Sequence, residues 1–544
     1  MVESLIQAGS SDPVAGNDPS RQFDVVIIGG AFSGAAMGIL LRRALPDATI
    51  AIVERSEKFD RKVGESTSEV AGCFLTQVLH LSTYLSRNHI AKNGLRMWFT
   101  DAENACMGQC SEIGGRLQTR LPGFQLDRAE LDPHLLKMAE EAGCEIFRPA
   151  TVRGLELGGA GRNAMTIDVR DGGSYKVTAK WVVDASGKAA VIPRLRGTLE
   201  SMEEEHPTTA VWARFRNVRD LDGHDICTRF PDLGQHVLSA RGTATNHLMG
   251  RGWWCWIIPL RDGDVSAGVT FDRRIFQLPE GGTLTERLHK HLLSHPVGRE
   301  LFADAVPVEK DTRTYSQLAY RSREVAGDGW FVVGDAGGFM DPMYSQGLDY
   351  CAHTVYATHV ILVDALKGEC VKQRAIDYGT NFAESYQQWF EALYKGKYRY
   401  MGDADLMFTA FLLDLCMYFV GPVRLVYTDT VGEFSRLPYQ GPAGRRVARF
   451  MAFYNQRLAE LADQRLATGD YGRHNLGERF IVKQGLAPGA ALVPLFLRAM
   501  TCWGRAELHG LLSRWRSPAG AQQAPAASTI TKPPTGSAAE SPAR

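Results

Sequence analysis

The sequence predicts an α/β fold: a Rossmann-like nucleotide-binding unit, a β-sheet region interleaved with it, and a helical C-terminal cap. Three observations carry this prediction. A short β-branched apolar run leads into a glycine-rich turn and an Ala-rich stretch of helical character. Strand-like and helix-like patterns then alternate to about residue 400, and the pattern beyond is mostly helical. With 544 residues the chain is too long for one core and calls for two or more packed units.

Residues 1–22 are polar and rich in Gly, Ser and Asp, without the apolar run of an export signal, and read as a flexible arm. Asp24 to Ile28 suits a buried parallel strand. The turn Gly29-Gly30-Ala31-Phe32-Ser33-Gly34 follows, then a helix over 35–43 and a strand over 49–53 ending at Glu54. Such a turn brings pyrophosphate against backbone at a helix N-terminus, and an acid at that distance binds a ribose hydroxyl. Gly29, Ala31, Ser33, Gly34 and Glu54 are therefore candidate cofactor residues. Ala31 departs from the G-x-G-x-x-G pattern at its middle glycine, and a methyl there predicts a slightly shifted phosphate path.

Lys+Arg and Asp+Glu balance at 61 each, so no global field recruits nucleic acid or an anionic membrane. Ten cysteines without a C-x-x-C pair read as reduced cytosolic thiols, neither a disulfide framework nor a metal site. Leu406 to Tyr427 is strongly apolar but carries Asp414 and the pair Gly421-Pro422. A buried helix pair over a substrate pocket fits better than a membrane span. Arg449 to Ala467 has the spacing of an amphipathic cover helix. From about Ser517 the composition of Ala, Pro, Ser, Thr and Gln cannot build a core and reads as a disordered tail. The expected units are 1–22, 23–395, 396–516 and 517–544.

Four segments resemble known proteins. Val182-Val183-Asp184-Ala185-Ser186-Gly187 and Trp330 to Ala336, which includes Gly334 and Asp335, resemble two FAD elements of FAD-binding hydroxylase-like proteins. The segment Gln125 to Asp132, with Arg128, resembles a third. Trp254-Cys255-Trp256-Ile257-Ile258-Pro259 reads W-x-W-x-I-P, the signature that separates flavin-dependent halogenases from related flavin monooxygenases. Two indoles two residues apart point the same way on an extended segment, and the Pro closes it as a strand. The chain thus resembles the flavin-dependent halogenases over roughly residues 23–365.

That resemblance implies a mechanism and a set of residues. In the family a C4a-hydroperoxyflavin converts bound halide to hypohalous acid, which travels through a tunnel to a lysine near the substrate. Gly64-Glu65-Ser66-Thr67 resembles the family's G-E-[AS]-T segment, and Ala91 to Phe99 aligns with the segment carrying the lysine, here Lys92. Gln346 and Gly347, after Asp341-Pro342, match the turn that offers backbone N–H groups to chloride or bromide. Trp254, Trp256, Pro259, Tyr344 and Ser345 fall on the substrate and tunnel positions, and the indoles are expected to wall the flavin from the substrate.

Tyr344 stands where tryptophan halogenases have Glu, which implies a phenol- or pyrrole-type substrate over free tryptophan. A phenol needs a base, and Glu69 and Glu112 are both open as candidates. The cofactors implied are FAD, as FADH2, and chloride or bromide. The partners implied are a separate NAD(P)H flavin reductase and a small aromatic substrate, free or carrier-tethered, with neither nucleic acid nor membrane. Two other readings stay open: an NADPH-dependent aromatic monooxygenase and a non-catalytic flavoprotein scaffold.

Overall fold

The computed structural model describes residues 20–516, apart from 103, 116–120, 236–239, 428–430 and 484–485. The tail expected from 517, and all but the last three residues of the expected arm, lie outside the described residues. Arg21 and Gln22 already belong to the first strand, Arg21–Ile28.

Five strands run parallel in the order Trp330–Val332, Gly173–Asp184, Arg21–Ile28, Ile50–Val53 and Glu145–Phe147. The central ones are runs of Val and Ile because helices cover both faces and alternation has no solvent side to serve. Helix α1 (Phe32–Ala44) leaves the first strand through the glycine turn. Gly29 has φ +102°, and a Cβ there would sit 2.5 Å from the Ala185 carbonyl oxygen. A Cβ on Gly34 would sit 1.8 Å from the Gly29 carbonyl oxygen. These two positions need glycine. Ala31 does not, because it has ordinary extended backbone (φ −78°) as the residue preceding α1.

The second sheet runs Val306–Pro307, Thr208–Arg216, Val265–Asp272, Trp253–Pro259, Thr245–Gly250, Leu95–Phe99, Ser111–Gly115, Arg479–Val482. The W-x-W-x-I-P segment is thus a central strand, and Pro259 is its last residue, consistent with the missing N–H. Arg479–Val482 comes from the C-terminal region and pairs in parallel with Ser111–Gly115. The helical cap therefore also supplies an edge strand to the substrate sheet.

Helix α2 (Gly347–Leu366) packs on α1. The C-terminal region adds a single turn, α3 (Lys397–Tyr400), then α4 (Ala404–Val420), α5 (Gly441–Thr468) and α6 (Val493–Arg516). The expected pair over 406–427 appears as α4 and Pro422–Val426, broken at Gly421. The stretch Ala404–Val426 is apolar and long enough to cross a membrane, yet 78% of its most apolar window is buried inside the protein. A helix apolar on all sides and covered on all sides is a core helix. The expected cover helix over 449–467 lies within α5, which packs on both α4 and α6.

Candidate functional site

Two cavities meet at the junction of the sheets. The first, of about 430 Å³, is lined by the turns that follow the parallel strands: Gly29, Ala31 and Ser33; Glu54 to Ser56; Ala185 to Ala189. Glu54 is buried and accepts from the Gly30 N–H (2.8 Å) and the Ser56 N–H (2.7 Å). Arg128 lines the same space, held by two 3.0 Å hydrogen bonds to Asp132. Asp335 lines it as well, and burial raises its carboxyl to about 6 against the opposing pull of Arg128.

This chamber fits FAD. The cradle at Gly29 and Gly34 brings backbone close at the N-terminus of α1, where pyrophosphate is favoured. Glu54 would meet the ribose, and Arg128 with Asp335 would hold the ribityl side. Asp184 is not part of the lining. Its carboxylate accepts from the Ser186 (2.9 Å) and Ile192 (2.6 Å) N–H groups, so it pins the loop that is. Gly34 and Gly334 likewise shape the wall from behind.

The second cavity, of about 390 Å³, contains Lys92, Thr67, Ser68, Glu69, Tyr344, Gln346, Phe411, Asp414, Tyr418 and Tyr439 in its lining. Lys92 Nζ donates to the Thr67 carbonyl at 2.7 Å. Burial lowers Lys92 to about 8, with Glu69 and Asp349 opposing. Below this floor lies Asp349, fully buried in the first turn of α2. It accepts from Ser68 Oγ, from Tyr418 Oη (3.0 Å) and from the Ala71 N–H (3.0 Å). Burial raises Asp349 to about 7 in spite of these donors. Asp414, on α4, accepts from Lys397 Nζ (2.6 Å), Tyr344 Oη (2.9 Å) and Tyr454 Oη (2.7 Å).

The wall between the chambers is two short segments. Along Gly64–Ser68 the first three residues line the FAD cavity and the last two line the Lys92 cavity. Along Tyr344–Gly347 the sides alternate: Tyr344 and Gln346 face Lys92, while Ser345 and Gly347 face the FAD cavity. Tyr344 (φ 67°) and Ser345 (φ 62°) both have left-handed backbone, uncommon for residues with a Cβ. Gln346 and Gly347 open α2, so their N–H groups belong to the set a helix cannot satisfy internally. His247, on the FAD side, is pushed down to about 3 by burial, with Lys92 adding to the fall.

Trp254 and Trp256 both line the FAD cavity, with ring centroids 5.8 Å apart, and neither lines the Lys92 cavity. Pro259 lines neither. Of the two acids open as bases, Glu69 borders the Lys92 cavity. Glu112 does not: it is buried between Arg96 and Arg241, which binds it at 2.9 and 3.0 Å, and serves as an ion-pair centre of the second sheet. Sequence reasoning missed Asp349 and Lys397. A buried acid within an apolar stretch of helix, such as Asp349 or Asp414, is the signal that could have found this group.

A model of the FAD binding domain matches residues 124–391. Over 500 residues the chain is 25% identical to the flavin-dependent halogenase chlA of Dictyostelium discoideum, covering 84% of this chain and 77% of that protein. It is also 25% identical, over 419 residues, to the 1H-pyrrole-2-carbonyl-(peptidyl-carrier protein) chlorinase of Pseudomonas fluorescens, covering 72% of this chain and 86% of that one. The fold superposes on a crystal structure of halogenase PltM in complex with phloroglucinol and FAD with a TM-score of 0.69 at 17% identity, over 88% of this chain and 96% of the other. The glycine cradle and the matched domain define an FAD-dependent flavoprotein. Within that class, the likeness to curated relatives supports a flavin-dependent halogenase.

Proposed function

We propose that this enzyme places chloride or bromide on an electron-rich aromatic, a phenol by preference, held in the Lys92 cavity. The observation that carries this reading is the separation of the chambers: Lys92 lies across a wall from the cavity that fits FAD. Reduced FAD and O2 supply the oxidising power that turns halide into hypohalous acid. The N–H groups of Gln346 and Gly347, at the positive end of α2, suit a bound halide. Lys92 carries the electrophilic halogen or hydrogen-bonds to it. Lowered to about 8, its amine is partly neutral in mildly alkaline solution, with a lone pair free to react.

The wall of hydroxyls supports a phenolic substrate. Ser68 and Tyr418 line the cavity and both donate to Asp349, so a substrate O–H within reach of either has a path to a carboxylate titrating near 7. Tyr344 donates to Asp414 and its oxygen accepts from Lys397 Nζ at 3.5 Å, which leaves one lone pair to receive a substrate N–H or O–H. Phloroglucinol, the ligand of the PltM complex, is itself a phenol, whereas the chlorinase is named for a carrier-bound pyrrole. We take the free phenol as the substrate class, with reduced flavin delivered by a separate NAD(P)H flavin reductase.

Product mass tests the reading. The protein is incubated with FAD, a flavin reductase, NADH and a panel of phenols, indoles and pyrroles, with chloride and bromide in separate reactions. A halogen isotope pattern on phenols is the expected result. A gain of one oxygen, indifferent to halide and driven by NADPH without the reductase, would replace it with the monooxygenase reading.

A further inference from the structure

The strand bearing W-x-W-x-I-P does not touch the Lys92 cavity, yet a chain of buried hydrogen bonds links it to the turn between the chambers. Trp254 Nε1 donates to Tyr398 Oη at 3.1 Å. Tyr398 Oη donates to Asp341 Oδ2 at 2.7 Å, and His206 Nε2 lies 3.1 Å from the same oxygen. Asp341 Oδ1 accepts from the Met343 N–H at 3.0 Å. All four side chains are buried. The sequence Asp341-Pro342-Met343 leads directly into the left-handed pair Tyr344–Ser345 and then into Gln346 and Gly347.

The geometry points to Trp254 and Tyr398 as positioning residues for that turn. Two consecutive non-glycine residues with positive φ are held only where their surroundings fix them. The turn is fixed at three places. Asp341 holds its start. Tyr344 is tied to Asp414, which is paired with Lys397. The Gln346 side chain accepts from Trp389 and Tyr394. Lys397 and Tyr398 are neighbours on α3, so one helical turn reaches both the start and the middle of the segment. That turn is docked on the hairpin leading into the signature strand: the Gly252 N–H donates to the Tyr398 carbonyl at 3.0 Å, and a Cβ on Gly402 would meet the Arg251 backbone N at 2.4 Å. The first indole of the signature thus supplies an N–H at the end of a lever on the turn, in addition to bulk beside the cofactor.

This inference rests on reading Gln346 and Gly347 as the halide site. Two variants test it in the FAD-loaded enzyme with flavin reductase: Trp254→Phe, which keeps an aromatic ring and removes the N–H, and Tyr398→Phe, which removes the link. The measured quantities are the KM for bromide, kcat at saturating bromide, and FAD affinity. Each variant is expected to raise the bromide KM about tenfold, the scale of one lost buried hydrogen bond, and in Tyr398→Phe, whose side chain lines neither cavity, kcat and FAD affinity stay within about twofold. The double variant should be little worse than either single one, because both cut the same chain. Unchanged bromide KM in folded, FAD-binding Tyr398→Phe overturns the inference, as does a loss confined to FAD affinity. Anomalous scattering from bromide in wild-type crystals separates the two layers. Bromide at the Gln346 and Gly347 N–H groups with an unchanged KM in the variants defeats the lever alone. Bromide elsewhere defeats the site reading and the lever with it.

Discussion

The FAD cavity and the Lys92 cavity are built from different materials. The first is built at its glycine-turn end from backbone: strand-to-helix turns, a left-handed glycine and carbonyls that approach within a Cβ's reach. The second is mostly side chains, gathered from segments as far apart as Thr67 and Leu486 and roofed by α4. A backbone site fails as a whole when one atom is added. A side-chain site can lose one function and keep its shape. Mutations in the two chambers should therefore break different observables.

Lys92→Ala should show the largest effect in the second chamber. Halogenated product should fall by about 10² to 10⁴-fold, the range of a positioned proton-transfer or activating group, while FAD affinity and halide-dependent oxidation of reduced flavin persist. Product mass and a hypohalous acid trap, run side by side, check this; loss of FAD binding would merge the two chambers.

Asp349→Asn comes next. Phenol halogenation should drop about 10²-fold, whereas the methyl ether of the same phenol should respond little, because it has no proton to give. The sign with pH follows from the carboxylate being the proton acceptor. With Asp349 raised to about 7, the wild-type rate should climb as pH rises through 7. The variant should lose that limb and keep the rise near 8 that belongs to Lys92. A pH–rate profile for both enzymes decides it.

In the first chamber, Gly34→Ala places a Cβ 1.8 Å from the Gly29 carbonyl oxygen. Overpacking of this kind costs about 1–3 kcal/mol, so thermal stability and FAD affinity should fall together, read by melting and by flavin fluorescence titration. Tyr344→Phe should be the mildest of the four. Removing the hydroxyl frees Asp414 of one donor and should change the aromatic substrate's KM by about fivefold, near 1 kcal/mol, with FAD affinity unmoved.

The same contrast explains what could be read in advance. Gly29, Gly34 and Glu54 announce themselves because backbone geometry restricts residue type locally, within one strand-turn-helix unit. Lys92, Tyr344 and Gln346 were legible through resemblance, since nothing in their own spacing demands a role. Asp349 was not legible, and neither was its link to Tyr418. Their meaning arises only when α2 and α4 pack so that a hydroxyl from one reaches a carboxylate on the other. Glu112 shows the converse: a lone acid in the sequence looked available until three arginines were found around it. The strand Arg479–Val482 was hidden for a similar reason, because a four-residue edge strand within a helical region has no periodicity of its own.

The alternation along Tyr344–Gly347 gives the enzyme two faces on one short segment, coupled through the ties of Tyr344 to Asp414 and of Gln346 to Trp389 and Tyr394. A point change at 344 or 346 rewrites what the aromatic meets without entering the chamber where the oxidant is made. A change at 345 or 347 does the reverse. Inserting or deleting one residue would swap the two faces and disable both at once, so new substrate preferences are reachable here by substitution and closed to changes of length.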